Sequence, residues 1–201
     1  ALETAYAAWH GMVGKKALLY RQTLGGGSTQ WCWANLDEVR TERDNNYPTR
    51  LHIECSWTML SPVWNGTVHG WIDNYTMDVS PKTITEVNAG NVRVRNPYIT
   101  VIAGGAPITT LTVYQGTPTT ESTKWSYSGT IPVGGSLIID CGAASVKLNG
   151  TADYSHFTLD GTAHLSGDWL YYDPGSVSLV VTKTGGSTTS SINLLWYDGW
   201  Q

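Results

Sequence analysis

The stretch GSLIIDCGAASVKLNG, residues 135–150 of the 201-residue chain, contains two short apolar segments separated by small residues. The segments 137–140 and 146–148 have the length of β-strands, and Gly142 lies in the connection between them. Asn149 and Gly150 follow, and both residues accept the positive φ that a tight turn between strands requires. The stretch therefore predicts a β-hairpin that is followed by a second tight turn.

The same pattern extends towards the C-terminus, where apolar residues alternate with others in two further segments. These are Val177, Leu179 and Val181, then Ile192, Leu194 and Trp196. Alternation places every second side chain on one face of a sheet. From residue 81 onwards we predict strands near 83–88, 92–94, 98–103, 108–115, 124–131, 136–140, 144–148, 176–183 and 190–197. Short, regularly spaced strands without a helical period indicate a β-sandwich or barrel.

The first part of the chain differs, because it opens with a helical period. Apolar side chains at Leu2, Tyr6, Trp9 and Val13 predict an amphipathic helix over residues 1–14, with Gly14 as its C-cap. Strands are predicted at 17–22, 31–42 and 51–59, with turns at 25–27 and 44–48. Residues 63–79 show no clear period and are predicted to connect two domains, 1–72 and 73–201.

Composition excludes several classes of partner. Charged residues make up 14% of the chain and its formal net charge is −4. A nucleic-acid-binding protein or one that binds an anionic membrane surface needs a surplus of cations, which is absent. Residues 1–72 are neutral in sum, with six basic and six acidic side chains, whereas residues 73–201 hold six basic and ten acidic ones. No apolar run is long enough to span a bilayer.

Several of these segments together resemble a known family. They are 135–140, 146–150, 167–169, 173–175 and 192–200, preceded by 88–91 and 97–101. In this order they resemble the C-terminal domain of siphophage distal tail proteins. Residues 1–64 are similar, more loosely, to the end of that family's first domain.

The resemblance implies a mainly β fold, in which an antiparallel sheet with one packed helix is followed by a galectin-like β-sandwich. It implies a structural role in a phage tail, as a ring usually of six copies that joins the tail tube to the tip or baseplate. The partners would be further copies, the tail tube protein and tip or baseplate proteins, with assembly in the bacterial host cytoplasm. The family's first domain has strands ahead of the helix, so this chain, which starts at Ala1, is expected to be a fragment or a variant.

Candidate chemistry is confined to one polar cluster. Asp153, His156, Asp160, His164 and Asp168 are residue types that bind divalent cations, although a solvated loop is the simpler interpretation. No P-loop and no G-x-S-x-G motif occurs. We therefore predict a protein that is not an enzyme and holds neither cofactor nor metal.

Aromatic residues provide an alternative function. The chain has 10 Trp, 11 Tyr and one Phe, and Trp125, Tyr127 and Trp169 could stack on sugar rings in a carbohydrate-binding module of a tail tip or surface appendage. The competing interpretation is packing, because Trp and Tyr must supply the large core side chains when Phe is nearly absent. Six Trp residues fall within 1–72, which favours a domain or subunit interface for some of them.

Three cysteines, at positions 32, 55 and 141, have no metal-binding or redox spacing. Buried free thiols are the expected state, and a Cys32–Cys55 disulfide between neighbouring strands is the alternative.

Overall fold

The computed structural model describes residues 7–8, 10–22, 29–43, 51–60, 63–69, 74–95, 97–116, 123–159 and 169–201. Within these ranges the protein is built from antiparallel strands, so the prediction of a mainly β fold is confirmed. The same residues contain no helix that combines the length and apolar character needed to span a bilayer. The chain divides into two compact units, Ala1–Gly66 together with Gln201, and Thr67–Trp200.

The described residues of the first unit include the strands β1 (Lys16–Arg21), β2 (Gln30–Arg43) and β3 (Leu51–Met59). The long strand β2 pairs with β1 through its first part and with β3 through its later part, antiparallel in both cases. The β2–β3 register shifts between Leu36 and Glu38. Alternation along β2 buries one face of the strand at Cys32, Ala34, Leu36 and Val39.

The predicted opening helix falls largely outside the described residues, which omit 1–6 and 9. In the part that is described, the Gly11 amide donates to the Ala7 carbonyl over 2.9 Å. Gly14 has a φ of 77°, the left-handed conformation that glycine adopts at no steric cost. The helix itself stays a prediction, and the predicted turns at 25–27 and 44–48 also lie outside the described residues.

The second unit is formed by two sheets. Its strands are β5 (Asn74–Thr76), β6 (Lys82–Asn88), β7 (Tyr98–Ile102), β8 (Ile108–Gln115), β9 (Thr123–Tyr127), β10 (Ser136–Asp140), β11 (Ser145–Leu148), β12 (Thr151–Ala152), β13 (Phe157–Leu159), β14 (Gly175–Gly185) and β15 (Ser191–Trp200); β4 (Trp64–His69) spans the boundary between the units. In one sheet β15 pairs with β5 and β7, β7 with β10, β10 with β11, and β11 with β12. The other sheet has the order β13-β9-β8-β14-β6.

The two sheets of the second unit bury one hydrophobic core between them. Its largest fully buried side chains include Trp125, Trp196, Tyr127 and Tyr172. Tyr172 and Trp196 meet edge to face, with ring centroids 4.8 Å apart. Such an aromatic pair adds roughly 0.5–1.5 kcal/mol to the free energy gained by area burial alone. The core therefore uses Trp and Tyr where other proteins use Phe.

The stretch at 135–150 folds as its sequence predicts. Leu137 lies opposite Leu148 and Ile139 opposite Val146 in the β10–β11 hairpin. The following turn has φ values of 49° at Asn149 and 83° at Gly150. The Asn149 side-chain oxygen also accepts a hydrogen bond from the Ser136 amide at 2.9 Å, which joins the turn to the start of the hairpin. The galectin-like detail of this sandwich stays a prediction.

Three predicted segments differ from the structure, two in their secondary structure and one in where its strand ends. Residues 92–94 form no strand, since Val94 makes only an isolated bridge to Tyr172. The strand predicted at 124–131 ends at Tyr127. Residues 63–79, predicted as a connection, contain the strands β4 and β5. Pairing with partner strands decides these short segments, and local preference is too weak to override it.

Candidate functional site

Two of the three residues proposed for carbohydrate stacking are buried in the core. Trp125 and Tyr127 each expose 1% of their surface, on the inward face of β9. The ring centroids of Trp125 and Phe157 are 5.8 Å apart. A sugar ring could not reach either side chain in the folded protein, so these two residues serve packing.

Trp169, the third residue, is partly buried and packs against the same core. Its ring stacks on Phe157, with centroids 5.2 Å apart and an interplanar angle of 21°. One face of the indole is therefore occupied by the single phenylalanine of the chain. Phe157 links Trp125 and Trp169 into one aromatic cluster, and this cluster and Tyr127 belong to the same core.

The polar cluster at 153–168 is described only as far as residue 159. The Tyr127 hydroxyl donates to Asp153 Oδ2 at 2.6 Å, and Ser155 Oγ donates to Asp153 Oδ1 at 2.9 Å. His156 Nδ1 lies 2.8 Å from Asp153 Oδ1. Asp160, His164 and Asp168 lie outside the described residues. Within those ranges no group of three metal-ligating side chains occurs.

These contacts change the ionisation of Asp153 and Tyr127. Hydrogen bonds from Tyr127, His156 and Ser155 stabilise the carboxylate and lower the pKa of Asp153 to about 2. Burial, with the hydrogen bond to Asp153, raises the pKa of Tyr127 far above its ordinary value. The Asp153 carboxylate therefore carries a negative charge at the edge of the core. His156 lies beside it and is half exposed. This arrangement anchors the β12–β13 connection to β9.

The cysteines are free thiols, and a Cys32–Cys55 disulfide is excluded by strand register. Cys55 lies opposite Val39, seven residues along β2 from Cys32. At about 3.3 Å per residue the two cysteines are roughly 23 Å apart, whereas a disulfide needs Cα atoms within about 7 Å. Burial raises the pKa of Cys32, and it raises that of Cys141 to about 12.

One face of the β1–β2 hairpin carries exposed apolar side chains, and we call Leu18, Tyr20 and Trp33 the aromatic face. Leu18 lies directly opposite Trp33 in the strand register, and Tyr20 follows on the same face of β1. Their exposed fractions are 39%, 59% and 41% for Leu18, Tyr20 and Trp33. Lys16 Nζ lies 4.5 Å from the centre of the Trp33 ring, a cation–π contact. An exposed apolar cluster with a charged edge is typical of an interaction surface.

Sequence reasoning found only part of this face. The number of Trp residues in 1–72 pointed to an interface, but Leu18 and Tyr20 were missed. The sequence of β1 could have indicated these two residues. Ala17 and Leu19 alternate with Leu18 and Tyr20, so both faces of β1 carry apolar residues. A strand that is apolar on both faces needs a partner on each.

Comparison with known proteins shows similarity at the level of the fold. No protein-family model matches the chain, and no curated protein matches it. Among solved structures, the fold is similar to that of the SPP1 Dit (gp 19.1) protein, described as a paradigm of the hub adsorption apparatus in phages that infect Gram-positive bacteria. The TM-score is 0.60 at 10% sequence identity. At that identity the likeness establishes a shared fold.

The similarity covers 86% of this chain and 61% of the Dit chain. This chain therefore spans about three fifths of the length of the protein that it resembles in fold.

Proposed function

We propose that this protein is a structural component of a phage tail, in which copies form a ring, six in number, between the tail tube and the tip or baseplate. The fold shared with the Dit protein carries the proposal, and it agrees with the family resemblance of the segments after residue 81. The second unit would be the galectin-like sandwich. The protein would act by assembly rather than by catalysis, and its location would be the virion tail after assembly in the host cytoplasm.

Surface chemistry supports assembly. The chain has 14% charged residues, so burying its surface against neighbours removes few charges from water, which is the costly part of association. The aromatic face supplies exposed apolar area of the kind that interfaces bury. Its large residues, Tyr and Trp, are the types enriched at the centres of interfaces.

Native mass spectrometry of the whole chain, followed by electron microscopy of the assemblies, tests the proposal. We expect a closed oligomer, with sixfold symmetry in projection. A chain that stays monomeric at micromolar concentration, and is absent from tail particles made in its presence, would contradict it.

A glycan-binding module is the second candidate, and one observation favours it. The outer face of the β13-β9-β8-β14-β6 sheet displays ten hydroxyl side chains in strand register: Thr83, Thr85, Thr110, Thr112, Ser126, Thr158, Ser176, Ser178, Thr182 and Thr184. Among the described residues, Lys124 supplies the only charge at an outward position of these strands. Hydroxyl groups both donate and accept hydrogen bonds, as sugar hydroxyls do, so this face would replace the buried Trp125 and Tyr127 as the contact surface.

A glycan array probed with the wild-type chain and with Thr112→Arg tests this second candidate. Thr112 lies near the middle of the face, opposite both Thr182 and Ser126. Binding of a neutral glycan that the arginine abolishes, in a variant of unchanged thermal stability, would support it. Absence of binding by the wild type would remove it.

A further inference from the structure

Charge is segregated within the first unit, although residues 1–72 are neutral in sum. Around the aromatic face, residues 10–22 and 29–36 contain Lys15, Lys16 and Arg21 and no acidic residue. All three cations are exposed. Arg21 lies over the ring of Trp64, with its guanidinium carbon 4.5 Å from the ring centre. The aromatic face therefore has a cationic border.

The other end of the same sheet is acidic. We call residues 37–43 of β2 and 51–56 of β3 the acidic arm, because their acids, Asp37, Glu38, Glu42 and Glu54, outnumber their cationic arginines, Arg40 and Arg43. Arg40 Nε lies 2.9 Å from Glu38 Oε1. The hydrogen bond from Arg40 lowers the pKa of Glu38, so this carboxylate stays ionised at neutral pH. Strand register places Arg40 opposite Glu54 and Glu42 opposite His52, on one exposed face of the arm.

The aromatic face with its cationic border cannot contact the acidic arm of the same copy. Trp33 and Glu42 lie on the same strand, β2, nine residues apart. At about 3.3 Å per residue this separates them by roughly 30 Å along an extended backbone. The strand is held by pairing to β1 at one end and to β3 at the other, so it cannot fold back. A second copy of the chain can bring its acidic arm against the aromatic face, a contact that the extended strand β2 prevents within one copy.

We propose that the aromatic face and its cationic border in one copy dock on the acidic arm of the next copy. The inference rests on the proposed ring, for which it names the two surfaces in contact. Because the surfaces differ, the contact is heterologous, and a heterologous contact forms a closed ring when the rotation between neighbouring copies closes after a whole number of copies. Burial of the apolar side chains would provide affinity, while the opposite charges would set orientation and register.

Paired charge reversals on the whole chain test the docking. The first variant carries Lys15→Glu and Lys16→Glu, and the second carries Glu42→Lys and Glu54→Lys. All four side chains are exposed, so both variants should fold, and the first should lose only the small contribution of the Lys16–Trp33 contact to thermal stability. We expect each variant alone to assemble about tenfold more weakly than the wild type, or worse, in native mass spectrometry and mass photometry.

Mixing the two variants should restore assembly at a one-to-one ratio. The border of the first variant, which is now acidic, then contacts the arm of the second variant, which is now basic. The unchanged cationic border of the second variant contacts the unchanged acidic arm of the first. A matched control is Arg95→Glu with Lys147→Glu, exposed cations of the second unit, which makes the same change in net charge as the first variant. The control should assemble like the wild type. Tyr20→Ser, at the most exposed position of the aromatic face, should also weaken assembly.

The outcomes separate this inference from the proposed function. A monomeric wild type would overturn both. A wild type that assembles, with both reversal variants assembling equally well, would overturn only the docking. If the Lys15 and Lys16 reversals disrupt assembly while the Glu42 and Glu54 reversals do not, the acidic arm is not the occupant and two aromatic faces meet instead. Failure of the mixture to assemble would likewise contradict docking of the border on the arm.

Discussion

Gly90 is held against the backbone of Gly199 by a buried side chain, Asn88. Asn88 Nδ2 donates to the Val92 and Tyr172 carbonyls at 2.9 and 3.1 Å, and its oxygen accepts from the Gly90 amide at 3.0 Å. A Cβ added to Gly90 would overlap the Gly199 carbonyl group. The glycine is therefore required by close approach of two backbone segments.

We expect Gly90→Ala to destabilise the protein by about 3 kcal/mol or more, because backbone must move to relieve the overlap. Gly134→Ala is the matched control, since its Cβ would meet nothing within 4 Å although its φ is 69°. The control should lose only about 1 kcal/mol, from the left-handed conformation alone. Urea unfolding followed by Trp fluorescence measures both, and equal losses would contradict the steric explanation.

Asp153 gives a prediction about acid stability. Its pKa is about 2 in the folded protein against 3.8 for an unperturbed carboxyl group. A lowered pKa stabilises the fold where the group is ionised in both states, above about pH 4, and this contribution is lost as the pH falls towards 2. The difference in unfolding free energy between wild type and Asp153→Asn should therefore shrink between pH 5 and pH 2.5.

Tyr127→Phe provides the control for that measurement. It keeps the charge of Asp153 but removes the hydroxyl donor that does most to lower its pKa. The variant should lose stability less steeply than the wild type between pH 4 and pH 2.5. Parallel pH profiles for all three proteins would show that this network does not govern acid stability.

At the scale of elements, strand register decides the state of the cysteines. β1 and β3 contact different parts of the long strand β2, so Cys32 and Cys55 lie on neighbouring strands yet far apart. We expect three thiols to react with Ellman's reagent after unfolding without reductant, equal to the three free cysteines of the structure. One reactive thiol would reveal a disulfide and contradict the register.

Elements with a strong period were predictable. The strands at 82–88, 98–102, 108–115, 136–140, 145–148, 175–185 and 191–200 lie within three residues of their predicted bounds, and two of them match those bounds. Short elements were not predictable. The strand β5, for example, has three residues and depends on pairing with β15. Val94, predicted in a strand, has only one bridge, to Tyr172. Pairing with a strand that is distant in the sequence cannot be predicted from the local pattern of apolar and polar residues.

At the scale of the whole molecule, the two units differ in how they bury apolar surface. Every member of the main core cluster lies between Met77 and Trp196, within the second unit. In the first unit, the described tryptophans are partly buried or exposed, and Tyr20 and Trp33 are open to solvent. The second unit has a core of its own, whereas the first leaves Tyr20 and Trp33 exposed.

We therefore expect a chain of residues 67–201 to fold alone. It should show a cooperative thermal transition and near-ultraviolet circular dichroism from Trp125, Tyr172 and Trp196, which are packed rigidly in the core. A fragment without near-ultraviolet signal, or one that melts without cooperativity, would show that the second unit requires the first.

The sequence by itself determined what depends on neighbours in the chain: alternation along strands, the turn at Asn149 and Gly150, and the low charge of the surface. Tertiary structure alone decided which face of each strand meets the core. It placed Trp125 and Tyr127 inside and Leu18, Tyr20 and Trp33 outside, although both groups alternate alike. The reason is that period-two patterning defines two faces, while burial of one of them depends on a second sheet contributed by residues far away in the chain.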